Sequence, residues 1–159
     1  MKALLILAVC WYAQDLAQIL MTQTFLAPEI FAVGLLNLAT RSREPDSFWP
    51  WLIAAFCGGL LTDLRWIGVP GQCGALYTGA VLAARWLWYE VPSDGRKMIP
   101  YLIINGALCM VLSPPRLLFW DASVTSGRIM TILNAQWLLT GVAVLAASLT
   151  RRYSYDEEL

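Results

Sequence analysis

This sequence predicts an all-α membrane protein: a single domain over residues 1–159, built as a bundle of six transmembrane helices with both termini cytoplasmic. Three observations lead there. First, of 159 residues 58% are hydrophobic and only 14% charged, and the mean hydropathy is +0.59, too apolar for an ordinary soluble domain. Second, apolar runs recur at about residues 3–21, 25–40, 48–63, 71–88, 98–119 and 129–149, separated by short turn-like segments. Third, basic residues collect on alternate connections, as they do in polytopic bundles.

The first run opens "MKALLILAVC", which has the outline of a lipoprotein box ending at Cys10. Val9, however, stands where that signal needs a small residue, and the apolar run continues past the cysteine, so we read a retained helix. The second and third runs are near the lower limit for crossing ~30 Å of hydrocarbon. The fourth carries small residues at every fourth position. The fifth should end at Pro114 and Pro115, with the apolar patch of "SPPRLLFWDASVTSG" then lying along the interface. The sixth is followed by the polar tail "RRYSYDEEL".

Six spans place Lys2, Arg41, Arg43, Arg96, Lys97, Arg151 and Arg152 on one side, and Arg65, Arg116 and Arg128 on the other. By the positive-inside rule the termini are then cytoplasmic. Trp49, Trp51, Trp86 and Trp88 fall near the inner interface, and Trp66 and Trp120 near the outer one. The formal net charge is zero and the cationic residues are scattered, so no nucleic-acid footprint exists. Histidine is absent, which removes the usual general base. The four cysteines, Cys10, Cys57, Cys73 and Cys109, lie in apolar runs without a C-x-x-C pair and read as small buried hydrophobes. No phosphate-binding loop, metal-ligand spacing or nucleophile–base pair is present, so neither an enzyme nor a cofactor is expected.

The informative residues are small or polar. Gly71, Ala75, Gly79 and Ala83 form a stripe at spacing four, and Gly59 and Gly74 sit at the adjoining helix ends, so this set is expected to pack helices or to meet a partner. Gln14, Asp15, Gln18, Asp63, Asn134 and Gln136 fall at similar depth in the outer half of the bilayer and are expected to form an intramembrane polar cluster. For Asp63 two roles are open. It could act within that cluster, or it could cap a short helix at the water interface beside Arg65, its carboxylate accepting backbone amides of the following turn.

The run "GGLLTDLRWIGVPGQCGALYTGAVLAARW" resembles the signature region of MreD, the rod-shape-determining membrane protein family. Gly59 and Asp63 match its Gly-x-x-x-Asp helix end, Gly68, Pro70 and Gly71 its turn, and Gly74 and Ala75 the next helix start. "LAPEIFAVGLLNLA" is similar to its second helix, with Pro28 in place and Glu29 where Asp is usual, and "WYAQDLAQIL" resembles its Gln-containing first helix. The resemblance implies a non-catalytic component of the bacterial cell-elongation complex. Its partners would be MreC foremost, then RodA, the elongation transpeptidase and MreB, directly or indirectly. An alternative from another class is the substrate-binding S component of an energy-coupling-factor vitamin transporter, in which Ala13 and Ala17 would stand for the docking face.

Overall fold

A computed structural model describes residues 2–21, 26–41, 48–67, 70–92, 95–120 and 126–150 of the chain. Gly68, the connection 42–47, the stretch 121–125 and the tail from 151 onward lie outside the described residues, and so do the roles expected of them. The element order is α1 (Lys2–Leu20), α2 (Ile30–Ala39), α3 (Trp49–Thr62), a π-helical turn (Asp63–Ile67), α4 (Gln72–Glu90), α5 (Met98–Trp120) and α6 (Ser126–Leu149). Among the described residues there is no strand. Three segments, Ala3–Leu20, Met98–Pro115 and Arg128–Leu149, are long and apolar enough to cross a membrane.

Two helices differ from expectation. The run expected at 25–40 is helical only from Ile30 to Ala39; residues 26–29 are not helical. Pro28 explains the delayed start, because proline donates no backbone hydrogen bond and disfavours helical geometry at the residue before it. Conversely α5 does not stop at the prolines. Pro114 and Pro115 lie inside it and the helix runs on to Trp120, so the interfacial strip expected after Ser113 is helical in its first part. In apolar surroundings, unwinding there would strand more backbone groups than the two amides that prolines lack.

Local chemistry sets the other boundaries. Pro50 sits in the first turn of α3, where a missing N–H is harmless. Gly71 precedes α4 at φ +101°, a left-handed conformation that favours glycine.

Packing centres on α2, which touches α1, α3, α4, α5 and α6. Phe31, Ala32, Val33, Leu35, Leu36 and Ala39 are all buried along its ten residues. The most extensive helix pair is α3 with α4, and glycine makes it possible. A Cβ on Gly59 would lie 2.5 Å from the Gly74 Cα and backbone N, and one on Gly58 would lie 2.2 Å from the Phe31 ring.

Of the small residues expected to pack helices or to meet a partner, Gly59 and Gly74 lie at the α3–α4 contact and the spacing-four stripe does not lie on the buried face. The buried face of α4 is Cys73, Gly74, Tyr77, Ala80, Val81, Ala84 and Trp88, whereas Ala75 and Gly79 are exposed, and Gly71 and Ala83 are half-buried. A Cβ at Gly79 would meet nothing within 4 Å. Trp88 is likewise core rather than interfacial, edge-on to Tyr101 with ring centroids 6.1 Å apart. Cys73 and Cys109 are buried as expected, but Cys57 is exposed. Arg85, within apolar α4, places its guanidinium carbon 4.3 Å from the Phe48 ring centroid and 5.1 Å from that of Tyr89, the cation–π solution for a charge on an apolar helix.

The exterior is apolar and part of the interior polar. Leu20, Leu138 and Leu149 are 71%, 70% and 76% exposed, while Glu29, Asp63 and Gln136 are 0% exposed. That inversion suits hydrocarbon as solvent.

These contacts separate two glycines. Gly59→Ala drives a methyl group into the α4 backbone, which cannot swing aside as a side chain can, and should cost ~1–3 kcal/mol or more. Gly79→Leu should leave stability nearly unchanged. Thermal unfolding in detergent measures both, and a larger loss at Gly79 would show that the α3–α4 contact is misassigned.

Candidate functional site

Three groups of buried polar side chains occupy the bundle. The first surrounds the break before α2. Gln18 Oε1 accepts the Ala27 N–H (2.8 Å), and Gln136 Nε2 donates to the Ala27 carbonyl (3.2 Å). The Glu29 N–H donates to Thr140 Oγ1 (3.1 Å), and the Phe31 N–H to Gln14 Oε1 (2.8 Å). Backbone groups of the non-helical entry to α2 and of its first turn therefore find side-chain partners on α1 and α6. Each such group left unpaired in an apolar interior would cost ~1–3 kcal/mol.

The Glu29 carboxylate is tied into the same network. Tyr77 Oη–H donates to Oε2 (3.0 Å) and Gln136 Nε2 to Oε1 (3.1 Å). Gln14 Nε2 stands 3.5 Å from the Tyr77 hydroxyl. The directions are fixed from outside. Because Gln14 Oε1 takes the Phe31 amide, its Nε2 must face Tyr77, and the tyrosine proton then points to Glu29. Both carboxylate oxygens thus act as acceptors.

The second group is Asp63 at the α3–α4 hairpin. Its carboxylate accepts the Gly71 N–H at Oδ2 (2.9 Å), the Cys73 N–H at both oxygens (3.0 Å each) and the Gly74 N–H at Oδ2 (3.4 Å). These are amides of the turn and of the first turn of α4, which lack intrahelical partners and carry the positive end of the helix dipole. Asp63 is therefore a clamp across the π-helical turn. Asp63 is both the C-cap of α3 and the first residue of the π-helical segment.

The third group joins α1 to the hairpin. Trp66 Nε1 donates to Asp15 Oδ1 at 2.9 Å, and Arg65 Nε forms an ion pair with the same oxygen at 2.6 Å. Trp11 Nε1 lies 3.2 Å from both the Gly58 carbonyl and Thr62 Oγ1. Arg65 thus pairs with Asp15, not with Asp63.

The polar residues expected to cluster are divided. Gln14, Gln18 and Gln136 converge on residues 27–31, Asp15 faces Arg65, and Asp63 holds its own turn. Asn134 is exposed and joins none of them. Two positions along a helix turn the side chain by about 200°, so Asn134 and Gln136 cannot share a face. The inward face of α6 is Leu133, Gln136, Thr140, Val144 and Ser148. Glu29, Tyr77 and Thr140 were missed as site residues. The available signal was Pro28: a proline inside an apolar run frees backbone groups that need polar partners nearby. Among the described residues no group of three or more acidic or cysteine side chains could hold a metal ion.

Comparison with protein-family models, with curated proteins and with solved structures finds no match to this chain.

Two contrasts follow from the contacts. Gln136→Leu strips the Ala27 carbonyl and Glu29 of a donor and should destabilise by ~1–3 kcal/mol, whereas Asn134→Leu should be neutral; equal losses in thermal unfolding would refute the inward assignment. Asp63→Leu leaves the amides of Gly71, Cys73 and Gly74 without their acceptor. Asp63→Asn, with its oxygen at the Oδ2 position, keeps those contacts but turns an NH2 toward the Cys73 N–H, so its loss should fall between wild type and Leu.

Proposed function

We propose that this chain is a non-catalytic integral component of a bacterial cytoplasmic membrane. It crosses the bilayer six times with both termini in the cytoplasm. More particularly, we propose an MreD-like member of the cell-elongation complex, partnering MreC and supporting peptidoglycan synthesis with RodA, the elongation transpeptidase and MreB.

The observation that carries this is the coupling within the MreD-like stretch. Gly59 admits the α4 backbone at Gly74, and Asp63 takes the amides of Gly71, Cys73 and Gly74. Gly59, Asp63, Gly71 and Gly74, which carry part of the resemblance, are thus parts of one mechanical joint. A rigid hairpin of this kind suits a scaffold that presents a fixed surface to other membrane proteins.

The short second helix is compatible with six crossings. Ten helical residues rise ~15 Å, and the non-helical residues 26–29, which turn at Glu29, add part of the remainder of the ~30 Å of hydrocarbon. The break is tolerable because its backbone groups are satisfied by protein.

Two experiments test the proposal. In a cysteine-free variant, single cysteines replacing Lys97 or Thr150 should be shielded from an impermeant thiol reagent outside the cell, and one replacing Arg128 should label. External labelling at Lys97 would overturn the orientation. Affinity capture from a rod-shaped host should recover a single-span protein with a periplasmic coiled coil, with Asp63→Leu reducing recovery, and depletion should round the cells. A tightly held vitamin in native mass spectrometry, with no such partner, would overturn the elongation role.

A further inference from the structure

Between α1 and the π-helical turn, Trp11, Gln14, Asp15, Gln18, Thr62 and Trp66 line a small niche, with room for a group about the size of one water molecule. Asp15 is 7% exposed. Its Oδ1 holds Arg65 and Trp66, while Oδ2 accepts no hydrogen bond from the described residues. The neighbouring groups are committed elsewhere: Trp11 Nε1 to Gly58 and Thr62, and both halves of the Gln14 amide to Phe31 and Tyr77. Among the described residues the niche therefore presents Asp15 Oδ2 as an open acceptor carrying negative charge. Beside it, Arg65 is 49% exposed. Nε faces Asp15, and the guanidinium carbon lies 5.7 Å from the Trp66 ring centroid, which leaves the two Nη groups of this half-exposed side chain as further donors.

We infer that Asp15 and Arg65 together receive the headgroup of a phospholipid bearing a primary ammonium, as in phosphatidylethanolamine. The ammonium enters the niche and donates to Asp15 Oδ2, and the phosphate lies on the Arg65 Nη groups. A short ethylene link joins those two charges in the lipid, as adjacent side chains join the opposite charges here. Size favours a primary ammonium over a trimethylated one, which has no N–H to donate and exceeds the space. The rim favours a lipid over a protein lysine: toward the bilayer centre from Asp15 and Thr62, Leu4, Leu5, Tyr12 and Leu61 are 52%, 68%, 66% and 51% exposed, apolar surface that acyl chains below a headgroup would cover. The inference rests on the membrane embedding proposed above, not on the elongation role.

Native mass spectrometry of the purified full chain in detergent, with equimolar phosphatidylethanolamine, phosphatidylcholine and phosphatidylglycerol, tests it. Wild type should retain phosphatidylethanolamine roughly tenfold over either of the others, the scale of one charge-assisted hydrogen bond. Asp15→Asn keeps an acceptor for Arg65 and Trp66 but puts an NH2 in place of Oδ2, and should erase that preference. Arg65→Gln should weaken all three lipids. Equal retention of the three by wild type, or an undiminished preference in Asp15→Asn, overturns the assignment. If Asp15→Asn fails to fold, the wild-type comparison decides alone. Absent lipid discrimination with partner capture lost in Asp15→Asn would give the niche to a protein's lysine and equally overturn it. The lipid measurement uses the isolated chain, so its failure is separable from failure of partner capture.

Discussion

A backbone N–H or C=O in apolar surroundings must find a partner within the protein, and the interruption at Pro28 makes that demand at the centre of this bundle. Gln14 and Gln18 on α1 and Gln136 and Thr140 on α6 answer it. Because those four side chains come from helices on either side of α2, the break also fixes how α1 and α6 are placed around it. Glu29 and Tyr77 extend the same network to α4. Intramembrane polar residues are functional candidates by default, yet here most of them complete hydrogen bonds that an uninterrupted helix would make for itself.

The second constraint is the approach of α3 to α4. Gly59 lets two backbones meet with no side chain between them, and Asp63 locks the register by taking the amides at the start of α4. Neither device is sufficient alone. Without the glycine the helices would stand apart and the carboxylate would not reach; without the carboxylate the first amides of α4 would be unpaired. The π-helical turn, Asp63–Ile67, also places Arg65 and Trp66 together on Asp15, so the hairpin and α1 are joined by an ion pair as well as by the Trp11 contacts.

The candidate site was legible in the sequence only in part. Gln14, Asp15, Gln18, Asp63 and Gln136 stand out because a polar side chain in an apolar run is costly and must have a reason to be there. Their partition into three groups was not legible, since residues at one depth can face different neighbours. Asn134 shows why depth misleads: it lies two positions from Gln136 and yet faces outward. The stripe of Ala75 and Gly79 misleads in the same way, because small residues at spacing four mark a smooth helix face without saying which side of the bundle that face is on.

The sequence by itself determined that the chain is helical and apolar. It also marked Asp63 as an acceptor beside a glycine-rich turn. Those properties follow from local chemistry: hydropathy, proline's missing N–H and the dipole at a helix start act within a few residues. Tertiary structure alone decided that the backbone before Ile30 finds its partners on α1 and α6, that α5 runs through Pro114 and Pro115, and that Arg65 meets Asp15 rather than Asp63. It also decided that Gly59 and Gly74, not Gly79, are where helices touch. Each of these depends on which distant groups can satisfy a backbone atom or a charge, and partners up to 111 positions apart in the chain, as Glu29 and Thr140 are, leave no trace in local spacing.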